Sequence, residues 1–255
     1  MTKQIPNLFT LLNLVFGCLA IVVILQNGIV IQYAADGTQL IDIPEKIWMA
    51  SLFIGIAAVV DFLDGLVARL FKASSEMGKQ LDSLADVVSF GVAPAMIFYQ
   101  FLRMSIAQEE DGLNASIIWM VPAFVLAAAG AWRLARFNID NSQSFGFKGV
   151  PIPAIGILVA SLPLIYWDYH TQAVVDILLN KWFLYSCIIF LSWLMISKLP
   201  MMALKFKDYN IKNNISKIIL LAVAIVAALI FHWLAVPIVF IVYIILSLLF
   251  KQQPS

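Results

Sequence analysis

Asp61, Asp64, Asp82 and Asp86 are four closely spaced carboxylates set in an otherwise strongly apolar sequence. They belong to one pattern, D-x2-D-G-x2-A-R-x8-G-x3-D-x3-D, filled by Asp61, Asp64, Gly65, Ala68, Arg69, Gly78, Asp82 and Asp86. At about 100° per residue the first five share one face of a helix, and Asp82 and Asp86, with Gly78 one turn earlier, share a face of the next. A turn through Ser74, Ser75 and Glu76 would bring the two faces together antiparallel. Charges inside a membrane span are costly and require a partner or a polar cavity. Four carboxylates converging at low dielectric cannot all stay ionised unless cations neutralise them. Oxygen ligands without Cys or His favour Mg²⁺ or Mn²⁺ over zinc, and two divalent cations would balance the four negative charges.

A paired-metal site suits phosphoryl transfer, since it can clamp a diphosphate, stabilise the leaving phosphate and position an attacking hydroxyl. Gly65, Ala68 and Gly78 leave room for a nucleotide to approach the backbone. Arg69 can grip a phosphate through two parallel hydrogen bonds. Two other readings compete. Asp61 and Asp64 could form structural ion pairs with Arg69, with Asp82 and Asp86 at a solvated helix start. Alternatively, the acids could line a divalent-cation transporter, which would place acids in symmetry-related segments; no second D-x2-D occurs in the C-terminal half.

The elements that must hold these side chains follow from composition. The chain has 255 residues, 62% hydrophobic and 12% charged, the profile of an integral membrane protein. Apolar stretches able to cross about 30 Å of hydrocarbon recur throughout and predict eight spans: 8–26, 47–71, 84–102, 117–136, 151–167, 182–198, 215–233 and 235–250. The expected fold is an all-α polytopic transmembrane helix bundle, one membrane domain over 1–255, with a catalytic core of about 1–200 and an extra C-terminal helical hairpin at about 213–251. The stretch from Leu8 lacks a clear cleavage site and is read as a retained helix.

Positive charge stays preferentially on the cytoplasmic side. Cytoplasmic termini leave only Lys46, Arg103 and Lys181, of the 16 basic residues, on the other face. Lys3, Lys72, Lys251 and the rest then lie inside, on the same side as the aspartates, and the cell inner membrane is the expected location. A net charge of +1 gives no reason to expect a nucleic-acid partner. Cys18 and Cys187 are read as buried packing residues, and His170 and His232 as interfacial residues in external loops. The lysines from Lys198 to Lys217, Lys205, Lys207 and Lys212 among them, suggest a surface for anionic lipid headgroups.

The eight-position pattern resembles the signature of the CDP-alcohol phosphatidyltransferase family and matches it without departure. The run Pro6-Asn7-Leu8-Phe9-Thr10-Leu11-Leu12-Asn13 resembles the P-N-x2-T-x2-N opening of that family. Arg136-Phe137-Asn138, followed by Phe147-Lys148-Gly149-Val150-Pro151-Ile152-Pro153, resembles its phosphatidylserine synthase branch. The resemblance implies CDP-diacylglycerol as donor and L-serine as acceptor; glycerol 3-phosphate or inositol phosphate are the other acceptors the family allows. It implies Asp61, Asp64 and Asp82 as metal ligands, with Asp86 completing the second metal site and acting as general base. Gly65, Ala68, Arg69 and Gly78, helped by Thr10 and Asn13, would hold the CDP moiety. The acceptor carboxylate needs a cation, for which Arg133, Arg136 and Lys148 are candidates that could equally serve as topological anchors. The family also implies a homodimer.

Overall fold

The computed structural model of the chain describes residues 5–26, 30–33, 39–42, 46–70, 75–109, 111–140, 147–169, 171–202 and 214–250. Lys3, Lys72, Ser74, His170, Lys205, Lys207, Lys212 and Lys251, which entered the reading above, lie outside the described residues.

The protein is a bundle of helices, as expected where hydrocarbon cannot satisfy backbone polar groups and each segment must bond internally. Helix α1 spans Ile5–Gln26 and α2 Ile47–Leu70. The third span is α3 (Glu76–Asp86), a π-helical turn (Val87–Val92) and α4 (Ala93–Ala107). Helix α5 (Val125–Ile139) is led in by short 3-10 turns, one carrying Pro122. There follow α6 (Ile152–Asp168), α7 (Gln172–Leu178), α8 (Lys181–Ile196), α9 (Ile215–Phe231) and α10 (Ala235–Leu249). Two short antiparallel pairs interrupt the helical pattern. Strands β1 (Val30–Tyr33) and β2 (Gln39–Asp42) pair Val30 with Asp42, and β3 (Phe147–Lys148) pairs with β4 (Pro200–Met201).

Each of the eight expected stretches is helical, but the span count differs. Among the described residues five helical runs are long and apolar enough to cross a membrane: Pro6–Gln26, Ile47–Leu70, Glu76–Ala107, Ile117–Ile139 and Asn214–Leu249. A sixth arises when α7 and α8, bent by 57°, count as one. Two physical facts account for the difference. Helix α6 has 17 residues, and at about 1.5 Å per residue falls a little short of a hydrocarbon core of about 30 Å. The run Asn214–Leu249 is continuous by length, yet it breaks at His232, whose φ of 44° ends α9, and α10 packs against α9.

The third span is the most buried and the C-terminal run the least. Phe90, Ile97, Phe98, Phe101 and Leu102 are wholly enclosed, so α4 forms the axis on which α1, α5, α6 and α8 pack. Helix α1 packs against both α2 and α3, and thereby carries the two aspartate-bearing helices. Its contact with the π turn needs Gly17, where a Cβ would collide with Ser89. Cys18 is exposed on α1 and Cys187 only half-buried, which corrects the expectation of two buried cysteines; both are free thiols. His232 lies beside Asp168 at 3.4 Å and next to Trp233, at the turn between α9 and α10.

Candidate functional site

The site is built on the facing ends of α1, α2 and α3. Ser75 starts α3 by accepting the Gly78 N–H at 3.0 Å, an N-cap that fixes where the helix begins and so where Asp82 and Asp86 point. One turn after Asp82, the helix passes into the π turn directly beyond Asp86. A π turn holds an extra residue, so the aspartate face of α3 need not continue as a stripe along the apolar α4.

One carboxylate oxygen from each of Asp61, Asp64 and Asp82 lies within 4.8 Å of the others. Asp61 reaches hydrogen-bonding distance of both Asp82 and Asp86, and Asp86 interacts electrostatically with the other three. The four acids therefore face one space from two helices, as the spacing predicts. Asp64 and Asp86 are buried, whereas Asp61 and Asp82 are half-buried.

Two neutral side chains of α1 hold the deeper acids. Thr10 donates to Asp64 Oδ2 at 2.8 Å and also reaches the Pro6 carbonyl at 3.2 Å. Asn13 Nδ2 donates to Asp86 Oδ1 at 3.4 Å, and the Asn13 carbonyl accepts from Ser89 Oγ at 3.0 Å. Asn13 is fully enclosed, yet its side-chain Oδ1 has no hydrogen-bond partner. An orphaned buried acceptor beside carboxylates is unusual in a folded protein. The donor set, carboxylate oxygens plus one free amide oxygen, fits a hard divalent cation.

A cleft of about 230 Å³ opens over the acids, lined by Asn7, Thr10, Asp64, Gly65, Ala68, Gly78 and Asp82 among others. A Cβ at Gly65 would meet nothing closer than the Arg69 guanidinium at 4.0 Å, so protein packing does not explain that glycine; open space does. At Gly78 a Cβ would stand 3.0 Å from Asn7 Oδ1 and narrow the cleft. Arg69 is exposed at the rim, and none of the ion pairs among the described residues includes it or any of the four aspartates.

The three basic candidates differ sharply. Arg136 donates to the carbonyls of Ile196 (2.8 Å) and Ser197 (3.2 Å), satisfying groups at the C-terminal end of α8. Lys148 is exposed and pairs with Asp140 at 3.0 Å. Arg133 is 5% exposed, its Nε lacks a hydrogen-bond partner, and it interacts electrostatically with Asp86, Arg136 and Tyr243. The rest of the R-F-N and F-K-G-V-P segments braces this end of the bundle. Asn138 Nδ2 donates to Ser83 Oγ at 2.8 Å and its carbonyl accepts from Lys79 Nζ at 3.0 Å, tying α5 to α3. Gly149, at φ 79°, lets β3 turn into α6 where a side chain would strike the Met195 carbonyl.

Sequence reasoning left out Asn7 and Lys79, which line the cleft. Asn7 had a signal, since it stands one turn before Thr10 in the N-terminal run. Lys79 had none beyond its place next to Gly78.

The profile of CDP-alcohol phosphatidyltransferases matches residues 3–197 of the chain. The chain is 34% identical over 226 residues to the CDP-diacylglycerol--serine O-phosphatidyltransferase of Helicobacter pylori, covering 88% of this chain and 82% of that protein. It is 33% identical over 164 residues to the Bacillus subtilis protein of the same name, covering 64% and 77% respectively. A third relative of that name, from Saccharomyces cerevisiae, is 39% identical over 128 residues, covering 47% of this chain and 42% of that protein.

Proposed function

Because the chain belongs to the CDP-alcohol phosphatidyltransferase family, we propose that it transfers the phosphatidyl group of CDP-diacylglycerol to L-serine, yielding phosphatidylserine and CMP. The observation that carries this reading is the convergence of four aspartates, of which Asp64 and Asp82 line the cleft, together with a buried arginine that has no ion-pair partner among the described residues. The serine-using relatives named above support the choice of acceptor.

Asp61, Asp64, Asp82 and Asp86 would hold two divalent cations, Mg²⁺ or Mn²⁺, with Thr10 and Asn13 orienting Asp64 and Asp86. When bound, these cations supply the positive charge that clamps the diphosphate and stabilises departing CMP. Gly65, Ala68 and Gly78 make the room in which the CDP moiety lies, and Arg69 at the rim grips a phosphate oxygen. Asp86 accepts the proton of the serine hydroxyl. The hydroxyl oxygen then bonds to the lipid-side phosphorus, and the bond from that phosphorus to the bridging oxygen breaks as CMP leaves. Arg133, which has no ion-pair partner among the described residues, offers the serine carboxylate a cation. Arg136 adds to the positive field beside it, whereas Lys148 is engaged with Asp140.

The proposed arrangement keeps the site on the cytoplasmic side of a multi-pass inner-membrane protein, both termini inside. The sequence positions of Arg69, Lys79, Arg133, Arg136 and Lys148 near the aspartate-bearing ends support this. Residues 1–200 would be the catalytic core, and the homodimer implied by the family is open to native mass spectrometry in detergent.

The test is CMP release from CDP-diacylglycerol by purified protein, with and without labelled serine and with Mn²⁺ or Mg²⁺, for wild type and Asp86→Asn. Metal-dependent, serine-dependent release that disappears in the variant is expected. Full turnover in Asp86→Asn removes Asp86 as base, and release with glycerol 3-phosphate instead of serine moves the protein to another acceptor.

A further inference from the structure

Away from the aspartates, α2 and α6 leave an apolar cavity of about 590 Å³ between them and the turn that joins α9 to α10, a size typical of ligand sites. Trp48 and Trp167 stack with ring centroids 6.2 Å apart, so the start of α2 meets the end of α6. From there the lining runs along α2 to Val59 and along α6 back to Ile157. At about 1.5 Å per residue each stretch is about 15 Å long, which is half of a hydrocarbon core of about 30 Å. The cavity therefore occupies one leaflet. It follows the half of α2 that precedes Asp61, so that leaflet is the one away from the four acids.

Polar groups are graded along its depth. Trp48, Trp167 and Trp233 line it and stand at helix ends, where such amphipathic rings sit at the membrane–water interface. Lys46 is exposed two residues before Trp48 and enters none of the ion pairs among the described residues. Ser51 lies about 7.5 Å further along α2 than Lys46, the level of the ester groups beneath a phospholipid's phosphate. It lines the cavity, is 4% exposed, and its Oγ has no hydrogen-bond partner, whereas Ser161 opposite donates to the Leu158 carbonyl. An unpaired hydroxyl in apolar surroundings is costly, and an ester carbonyl would accept its proton. One turn deeper, a Cβ at Gly55 would meet nothing within 4 Å, so this glycine leaves open a trench that packing does not require.

We propose that the cavity binds one glycerophospholipid of the leaflet away from the aspartates, its phosphate beside Lys46, an ester carbonyl on Ser51 and one acyl chain running past Gly55 to Val59. This lipid is distinct from the donor, whose diphosphate lies at the aspartates and whose chains descend through the other leaflet. Its binding does not depend on which alcohol is the acceptor.

The test titrates dioleoylphosphatidylglycerol into delipidated, detergent-solubilised protein and counts bound lipid by native mass spectrometry, with Tm and KM for CDP-diacylglycerol measured alongside. Wild type takes up one lipid saturably, and Tm rises with it. Gly55→Phe fills the trench, and Leu52→Trp fills it from an exposed position if the first variant folds poorly. Each weakens binding at least tenfold, the factor for about 1.4 kcal/mol, and leaves KM for CDP-diacylglycerol unchanged. Ser51→Ala weakens binding about fivefold, as loss of one hydrogen bond does. Wild-type affinity in the filled variants overturns the proposal, and so does uptake by wild type that never saturates, since either leaves only lipid around the bundle. Weakened binding with a raised KM for CDP-diacylglycerol overturns it as well, because the cavity then receives the donor's own chains. Unchanged affinity in Ser51→Ala overturns the hydrogen bond assigned to Ser51.

Discussion

Replacing Thr10 with Val isolates one atom of the proposed metal site. The two side chains have nearly the same shape, and both suit a helix at this position, so α1 is left intact. What disappears is the hydroxyl that donates to Asp64 Oδ2 at 2.8 Å inside a side chain only 4% exposed. A hydrogen bond to a charged group contributes about 1.5–3 kcal/mol, which corresponds to roughly 10- to 150-fold in an equilibrium constant. Loss of a hydrogen-bonding partner behind a metal ligand costs about 10–100-fold in affinity, the same range. The half-saturating Mn²⁺ concentration for CMP release should therefore rise about 10–100-fold in Thr10→Val, while the rate at saturating Mn²⁺ stays within a few-fold. Isothermal titration of Mn²⁺ into the solubilised protein should show the same displacement without turnover. An unchanged Mn²⁺ midpoint in both assays would refute the role given to Thr10. A collapse of the saturated rate with unchanged Mn²⁺ binding would mean that Thr10 touches substrate rather than orienting Asp64.

Gly65→Val puts a side chain into the open space proposed for the CDP moiety, and it should raise KM for CDP-diacylglycerol by at least about tenfold, the factor for ~1.4 kcal/mol, while leaving Tm unchanged because only Arg69 is near. Gly17→Val forces a side chain into Ser89 and should destabilise the protein by about 1–3 kcal/mol, read as a lower Tm, with an unaltered Tm refuting the close helix contact. Arg136→Leu should lower Tm and raise both KM values together, because it strips two hydrogen bonds from the end of α8; a selective rise in KM for serine would instead make Arg136 a direct ligand of the acceptor.

The part of the site legible in sequence is the part set by helical periodicity. Asp61 with Asp64, and Asp82 with Asp86, were readable as two faces because three- and four-residue spacings place side chains together on any helix. That the faces meet depends on α1, which packs on both helices, and an apolar helix without charged residues after Lys3 carries no sign of such a role. Thr10 and Asn13 entered only through a resemblance; as isolated residues they are ordinary polar side chains in an apolar run. The π turn after Asp86 has no sequence marker, since Val87-Val88-Ser89-Phe90 would read equally as α-helix. Spacing also could not rank Arg133, Arg136 and Lys148. All three lie near the same helix ends, and only packing separates the buried Arg133 from the two with local partners.

The pattern of partners decides between a working site and a structural one. A structural role for Asp61 and Asp64 would require ion pairs with Arg69, yet none of the ion pairs among the described residues involves any of the aspartates, Arg69 or Arg133. Two of the acids, Asp64 and Asp86, are held by a hydroxyl and an amide. Neutral partners fix direction without cancelling charge, and among the described residues no ion pair compensates the four acids or Arg133. Burying charge in that condition is costly, and a fold that needed these residues only for stability would be better served by apolar side chains of similar volume. The cost is offset when ligands of opposite charge arrive: cations at the carboxylates, and an anionic acceptor at the guanidinium. On the reading proposed above, the acceptor would lie with its carboxylate toward Arg133 and its hydroxyl toward Asp86.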